Sequence, residues 1–192
     1  MKILIIRFSS FGDVLLTTPV IRKIKEKYPD SEIDFIVYEG FSEAVSLNPE
    51  IRNLILFDRK KSKDKKYINE VIENLKKEKY DFVIDLHSKL LSRIIGKSLS
   101  ESKTEYLRYN KRKWWKTLLV KARMITYNAD CTIVENYFTA LKKLNLYFDR
   151  NNIESGKGDA LEFYIDKGKE EEFVRKYDLK NMNYFVLAPG AS

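Results

Sequence analysis

The chain has 192 residues, 44% of them hydrophobic, and a formal net charge of +8. That size buries one good core with room for a small appendage, and no apolar run reaches the roughly eighteen residues needed to span a bilayer. The single cysteine, Cys131, excludes an intrachain disulfide, the single histidine, His87, argues against an all-protein zinc site, and without a signal-peptide pattern the default location is the cytoplasm.

Lys2 to Phe8 contain the continuous aliphatic run Ile3-Leu4-Ile5-Ile6, which predicts a strand covered on both faces in a parallel sheet. Ser9-Ser10-Phe11-Gly12 then breaks the run, where small polar side chains and a permissive glycine suit a sharp turn that comes close to a ligand. Asp13 follows immediately. The helix after it has Val20, Ile21, Ile24 and Tyr28 as its apolar stripe and closes at Pro29. Pro19 lies inside this pattern, which predicts either a kink or a short first turn followed by the main helix. In open α/β sheets ligands bind beyond the carboxyl ends of the strands, so Asp13 is a candidate site residue; its plainer role is that of a first-turn acid favoured by the helix dipole.

Further along, Glu32–Tyr38 reads as a second strand, Gly40–Leu47 as a turn leading to a short helix, and Leu54–Phe57 as a third strand. A basic loop precedes a helix over 67–79 with Ile68, Val71, Ile72 and Leu75 as its stripe, and Tyr80–Leu86 is a fourth strand. Strands alternating with helices predict a doubly wound, Rossmann-like parallel sheet of the α/β class. The fourth strand ends in Asp85-Leu86-His87-Ser88. Asp85 and His87 could form a catalytic pair there, with Ser88 as a helix cap and His87 as a ligand contact the more modest readings.

Gly96-Lys97-Ser98 looks like the end of a phosphate-binding loop, but Leu91 stands where the first glycine is required and the segment reads as helix. Thr104–Tyr109 reads as a fifth strand, and 110–127 as a basic, aromatic helix whose Trp114 and Trp115 suit either an anionic membrane surface or the sheet itself. Thr132–Leu144 reads as another helix, 160–165 as a strand, Lys167–Tyr177 as an acidic helix, and 184–187 as a buried strand that runs into Ala188-Pro189-Gly190-Ala191-Ser192. Charge is concentrated rather than spread: residues 59–66 carry +5 and residues 101–123 carry +6, leaving −3 elsewhere. Two basic segments suggest an anionic partner.

The run IRFSSFGDVLLTTPVIRKIKEKYP, with Asp85 closing the fourth strand and the terminal LAPGAS, resembles glycosyltransferase family 9, the lipopolysaccharide heptosyltransferases. The resemblance implies a GT-B fold of two Rossmann-like domains, of which this chain would hold the acceptor domain (1–150), a connection (151–182) and the opening strand and loop of the donor domain (183–192). It implies a metal-independent inverting transferase that moves heptose from ADP-heptose to the Kdo-lipid A inner core at the cytoplasmic membrane face. Such a chain would need no resident cofactor, and would be inactive without the rest of the donor domain.

In that reading Asp13 is the general base. Ser9, Ser10 and Gly12, with His87, Gly190 and Ser192, contact acceptor or donor. Arg59, Lys60, Lys61, Lys63, Arg108, Lys111 and Arg112 meet acceptor carboxylates and phosphates, an assignment made from charge and position alone. The family commonly has a histidine where Thr132 opens TIVEN here. Two other classes stand beside this one: a nucleic-acid-binding module built on 103–123, and a non-catalytic doubly wound domain with an acidic pocket around Asp13 and Asp85.

Overall fold

The computed structural model describes residues 1–100, 103–109, 132–149 and 161–180. The chain divides into two compact units, Met1–Glu162 and Phe163–Ser192. The first contains a five-stranded, wholly parallel sheet of β1 (Lys2–Ile6), β2 (Glu32–Tyr38), β3 (Ile51–Phe57), β4 (Phe82–Asp85) and β5 (Glu105–Arg108), in the order β3-β2-β1-β4-β5.

The central place of β1 follows from its composition. Ile3, Leu4, Ile5 and Ile6 are all fully buried, and burying each such side chain contributes about 1.5–3 kcal/mol. Alternate residues serve opposite faces. Ile3 and Ile5 join the core under α2 (Thr18–Lys27) and α5 (Ile133–Phe138), while Leu4 and Ile6 join the core under α3 (Lys65–Lys77) and α4 (Leu90–Leu99). Two covered faces make this the doubly wound sheet that the sequence predicts.

The helices begin where local chemistry lets them. α1 (Phe11–Leu15) is one short turn, and Pro19 sits in the first turn of α2, where its missing N–H costs nothing; of the two expectations at Pro19, the short first turn is the outcome. Asp64 caps α3 by accepting from the backbone N–H groups of Lys66 and Tyr67. Thr132 caps α5 in a reciprocal box with Glu135, its hydroxyl accepting from Glu135 N at 3.2 Å while Glu135 accepts from Thr132 N at 2.6 Å. Beyond α5 the chain tightens into a 3-10 segment over Thr139–Leu144 rather than continuing as α-helix. Tyr28 and Lys27 hold that segment to α2 by donating to the Leu144 carbonyl at 3.2 and 2.9 Å.

The expected strand over 160–165 is not formed: residues 161–166 are irregular and α6 (Lys167–Lys176) follows, capped by Asp166. Apolar alternation there has no neighbouring strand to pair with among the described residues. The predicted helix over 110–127 and the strand over 184–187 lie outside the described residues. No described helix is long and apolar enough to cross a membrane.

Candidate active site at the β1–β4 switch point

Because all five strands are parallel, their carboxyl ends share one edge, and the strand order changes direction between β1 and β4. A crevice at that point is where doubly wound sheets bind ligands. The loop after β1 carries Arg7 to Ser10, the loop after β4 carries Leu86 to Lys89, and α1 places Asp13 between them.

Arg7 joins the two loops. It is only 5% exposed; its Nη2 lies 2.5 Å from Asp13 Oδ2 and its Nη1 donates to the Leu86 carbonyl at 2.5 Å. The guanidinium also sits 5.5 Å from the Tyr137 ring centre, a cation–π contact favoured by burial. Tyr137 is fully buried and packs edge-on to Tyr109 at 5.3 Å. Its hydroxyl donates to the Asp13 backbone carbonyl at 3.3 Å.

Asp13 is held on one side. Its Oδ2 takes the Arg7 contact, the Ser10 amide at 3.3 Å and the Ser10 hydroxyl at 3.2 Å. Burial raises the carboxyl's pKa, but the Arg7 charge and the hydrogen bonds from Ser10 and Arg7 outweigh it, and the net displacement is downward. Asp13 is therefore ionised at neutral pH, with its side chain 31% exposed. The plainer role foreseen for it is also real, since accepting from Ser10 N makes it half of a capping arrangement on α1. Gly12 stands in α1 with open space where a Cβ would be. Its turn needs no glycine, contrary to the expectation from sequence, and what the residue supplies is bare backbone beside Asp13.

Asp85 has a different occupation. It is fully buried; its Oδ1 accepts from the amides of His87 (2.9 Å) and Ser88 (2.7 Å), and its Oδ2 from the hydroxyls of Ser92 (3.0 Å) and Tyr106 (2.7 Å). Four donors occupy both of its oxygens, which argues against Asp85 as half of a catalytic pair with His87. His87 is 3% exposed and packs edge-on to Phe8 at 5.4 Å, so it supports the crevice wall rather than facing a ligand. Ser88 is not the cap of α4 either: Lys89 occupies that position, and Ser88 adopts a left-handed φ of 54°. Gly96 lies in α4 against the Tyr106 ring, a packing role that accounts for it without phosphate.

The basic residues flank this centre. Arg59, Lys60 and Lys61 form a short 3-10 turn past the end of β3, Lys63 follows, and all four are exposed. Arg108, also exposed, ends β5. β3 and β5 lie on opposite sides of β1, each two strands away, so exposed cations stand at the carboxyl ends of strands on both flanks of the crevice. An open cleft of ≈ 470 Å³ between Tyr38 and Arg59 lies along the first group. Ser9 is partly buried and Ser10 exposed in the central loop. Lys111, Arg112, Gly190 and Ser192 lie outside the described residues.

No family model matches the chain. It is 37% identical to lipopolysaccharide heptosyltransferase 3 of Escherichia coli over 92 residues, 46% of this chain and 27% of that one. Lipopolysaccharide heptosyltransferase 1 of Campylobacter coli is 28% identical over 196 residues, covering 100% of this chain and 55% of that one. Among solved structures, E. coli heptosyltransferase WaaC with ADP matches at 25% identity and a TM-score of 0.56, over 77% of this chain and 48% of that one. The chain is similar to lipopolysaccharide heptosyltransferases. The glycosyl transferase family 9 structure from Veillonella parvula DSM 2008, at 19% identity and a TM-score of 0.68 over 92% of this chain and 49% of that one, shares the fold. The chain spans about half the length of these structures and of the Campylobacter coli relative, and its match covers 27% of the Escherichia coli one.

In this heptosyltransferase-like setting, sequence reasoning missed Arg7, Tyr109 and Tyr137. One signal for Arg7 existed: a lone cation ends an otherwise apolar buried run, six residues before the acid that it meets. Nothing local marks Tyr137, which reaches Asp13 across 124 residues of sequence.

Proposed function

We propose that the full-length protein is an inverting glycosyltransferase that moves heptose, or a related sugar, from ADP-heptose to an anionic Kdo-lipid A type acceptor. The observation that carries this reading is Asp13: an ionised, partly exposed carboxylate at the switch point of a heptosyltransferase-like sheet, bordered by unburied cations. The acceptor oxygen attacks the anomeric carbon as its proton passes to Asp13. The C–O bond to the donor phosphate breaks, and ADP departs with the electron pair. A carboxylate suits the task because it is unprotonated at working pH and need take only one proton per turnover.

Exposed Arg59, Lys60, Lys61 and Lys63 on one flank and Arg108 on the other would neutralise acceptor carboxylates and phosphates, steering the acceptor into the crevice; Lys111 and Arg112 are assigned with them by charge. Ser9, Ser10 and Gly12 would offer hydroxyl and amide groups to acceptor or donor, and Gly190 and Ser192 would serve the donor side. The reading requires a sugar-nucleotide co-substrate and no resident cofactor. Contact with the cytoplasmic face of the membrane fits α4, whose outer face combines Leu90 and Ile94, 74% and 42% exposed, with Lys89, Arg93 and Lys97 and no acid.

The test is Asp13→Ala in the full-length protein, assayed with ADP-heptose and Kdo-lipid A. Loss of a general base predicts a fall in kcat of about 10²–10⁴-fold, measured on folded protein below a thermal transition that is itself lowered because the buried Arg7 charge loses its partner. Turnover retained at the parent rate would overturn the assignment.

A further inference from the structure

We infer that Arg7 is a positioning residue that fixes Asp13 through Oδ2 and so leaves Oδ1 as the one oxygen that receives the acceptor proton. This rests on the reading of Asp13 as the base. Among the described residues, the ion pair and hydrogen bonds of the Asp13 carboxylate fall on the same oxygen: Arg7 Nη2 at 2.5 Å, Ser10 N at 3.3 Å and Ser10 Oγ at 3.2 Å. Oδ1 has no partner among the described residues, on a side chain 31% exposed.

The clamp is itself immobile. Arg7 is 5% exposed, tied to the Leu86 carbonyl and seated over Tyr137, while the Tyr137 hydroxyl holds the Asp13 main chain. Side chain and backbone of the base are thus fixed by one buried cluster. A carboxylate free to turn about its last torsion presents either oxygen at random. Held by a charged donor on one oxygen, it directs the lone pairs of the other into the crevice and meets the hydroxyl in one geometry, where a displacement of about 1 Å can cost on the order of 10²-fold in rate. The arrangement also makes Asp13 a weaker base than an isolated aspartate, in exchange for a fixed position and full ionisation.

The experiment has two readouts. In the chain itself, the Asp13 side-chain carboxyl is titrated by carbon-detected NMR in the parent, Arg7→Lys and Arg7→Met. The parent carboxyl should titrate below the usual aspartate value of about 3.9, Arg7→Lys should stay below it, and Arg7→Met should rise by a unit or more. In the full-length protein, kcat/KM for transfer from ADP-heptose is followed against pH. Arg7→Met should lower kcat by roughly 10–100-fold and move the acid limb upward, with Arg7→Lys restoring part of both.

A purely structural Arg7 would instead lower thermal stability and scale activity equally at every pH, with the acid limb unmoved; that result overturns the inference. Should Arg7→Met fail to fold, the parent titration still decides, since an Asp13 carboxyl with an ordinary midpoint refutes the clamp. Failure of the base reading is separate: Asp13→Asn would then retain turnover while the titration shift persisted.

Discussion

Arg52→Met probes the other end of the same sheet, where the structure allows a magnitude to be worked out. Asp34 of β2 is 1% exposed, and its carboxylate is matched by a fork from Arg52 of β3, Nε to Oδ1 at 2.9 Å and Nη2 to Oδ2 at 2.6 Å. The Tyr80 hydroxyl adds a third donor at 2.6 Å. Arg52 also reaches Glu32 at 2.5 Å and Glu78 at 2.9 Å, and Lys2 pairs with Glu78 at 3.3 Å. Removing one partner of a buried pair strands the other charge, at about 3–5 kcal/mol. The Arg52 side chain is 30% exposed, so water reaches part of the gap and about 3 kcal/mol is expected. For a unit of this size that lowers Tm by about 6–12 °C, measurable by calorimetry and by urea titration at pH 7. Adding Asp34→Leu removes the stranded charge and should recover at least about half of the loss. A loss under about 1 kcal/mol for Arg52→Met alone, or a double variant that behaves additively, would refute the reasoning.

Asp85→Ala takes the acceptor from the buried His87 amide, the part-buried Ser88 amide and the Tyr106 hydroxyl, while the Ser92 hydroxyl keeps the Lys89 carbonyl; at about 1–3 kcal/mol for each stranded group urea titration should show a loss of at least about 3 kcal/mol, and a smaller one would return Asp85 to the list of candidate reacting groups. Gly12→Ala meets no protein atom within 4 Å and exchanges a poor helix former for a good one, so stability should hold or rise by up to about 1 kcal/mol, and any loss of acceptor or donor binding would mark the bare backbone at position 12 as a ligand surface. The lowered pKa of Asp13 fixes a sign: its ionised form stabilises the folded state above the unfolded-state value of about 3.9, and that contribution is lost as pH falls through the lower folded-state value. Stability of the parent relative to Asp13→Asn should therefore shrink between pH 6 and the acid range; an unchanged difference would count against the Arg7 contact in solution.

Much of the scaffold was legible because its signals are local. The aliphatic run of β1 announced burial on two faces, and the stripes of α2 and α3 matched the side chains that reach the core. The place of Asp13 at the carboxyl edge of the sheet was legible because a small-residue turn follows a buried strand there. Asp85 was not, since a strand-end acid beside a histidine looks reactive until its four donors are seen, and two of them, Ser92 and Tyr106, arrive from α4 and β5. Arg7 was hidden for the same reason. Its partners Leu86 and Tyr137 lie 79 residues or more away, and no periodicity within the first strand encodes them.

The two ends of the sheet use similar charges to opposite effect, and the difference lies in how completely each carboxylate is matched. Asp34 and Asp85 are buried with every oxygen occupied, by Arg52 and Tyr80 in one case and by amides and hydroxyls in the other. Such groups lock strands together and have no capacity left. Among the described residues Asp13 is matched on one oxygen only, by Ser10 and by a cation too deeply buried to move away. A half-satisfied carboxylate contributes less to stability than a satisfied one, and under the proposed role its open oxygen is the one that receives the acceptor proton. That asymmetry, rather than the presence of an acid, is what distinguishes the switch-point residue from the other acids of the sheet.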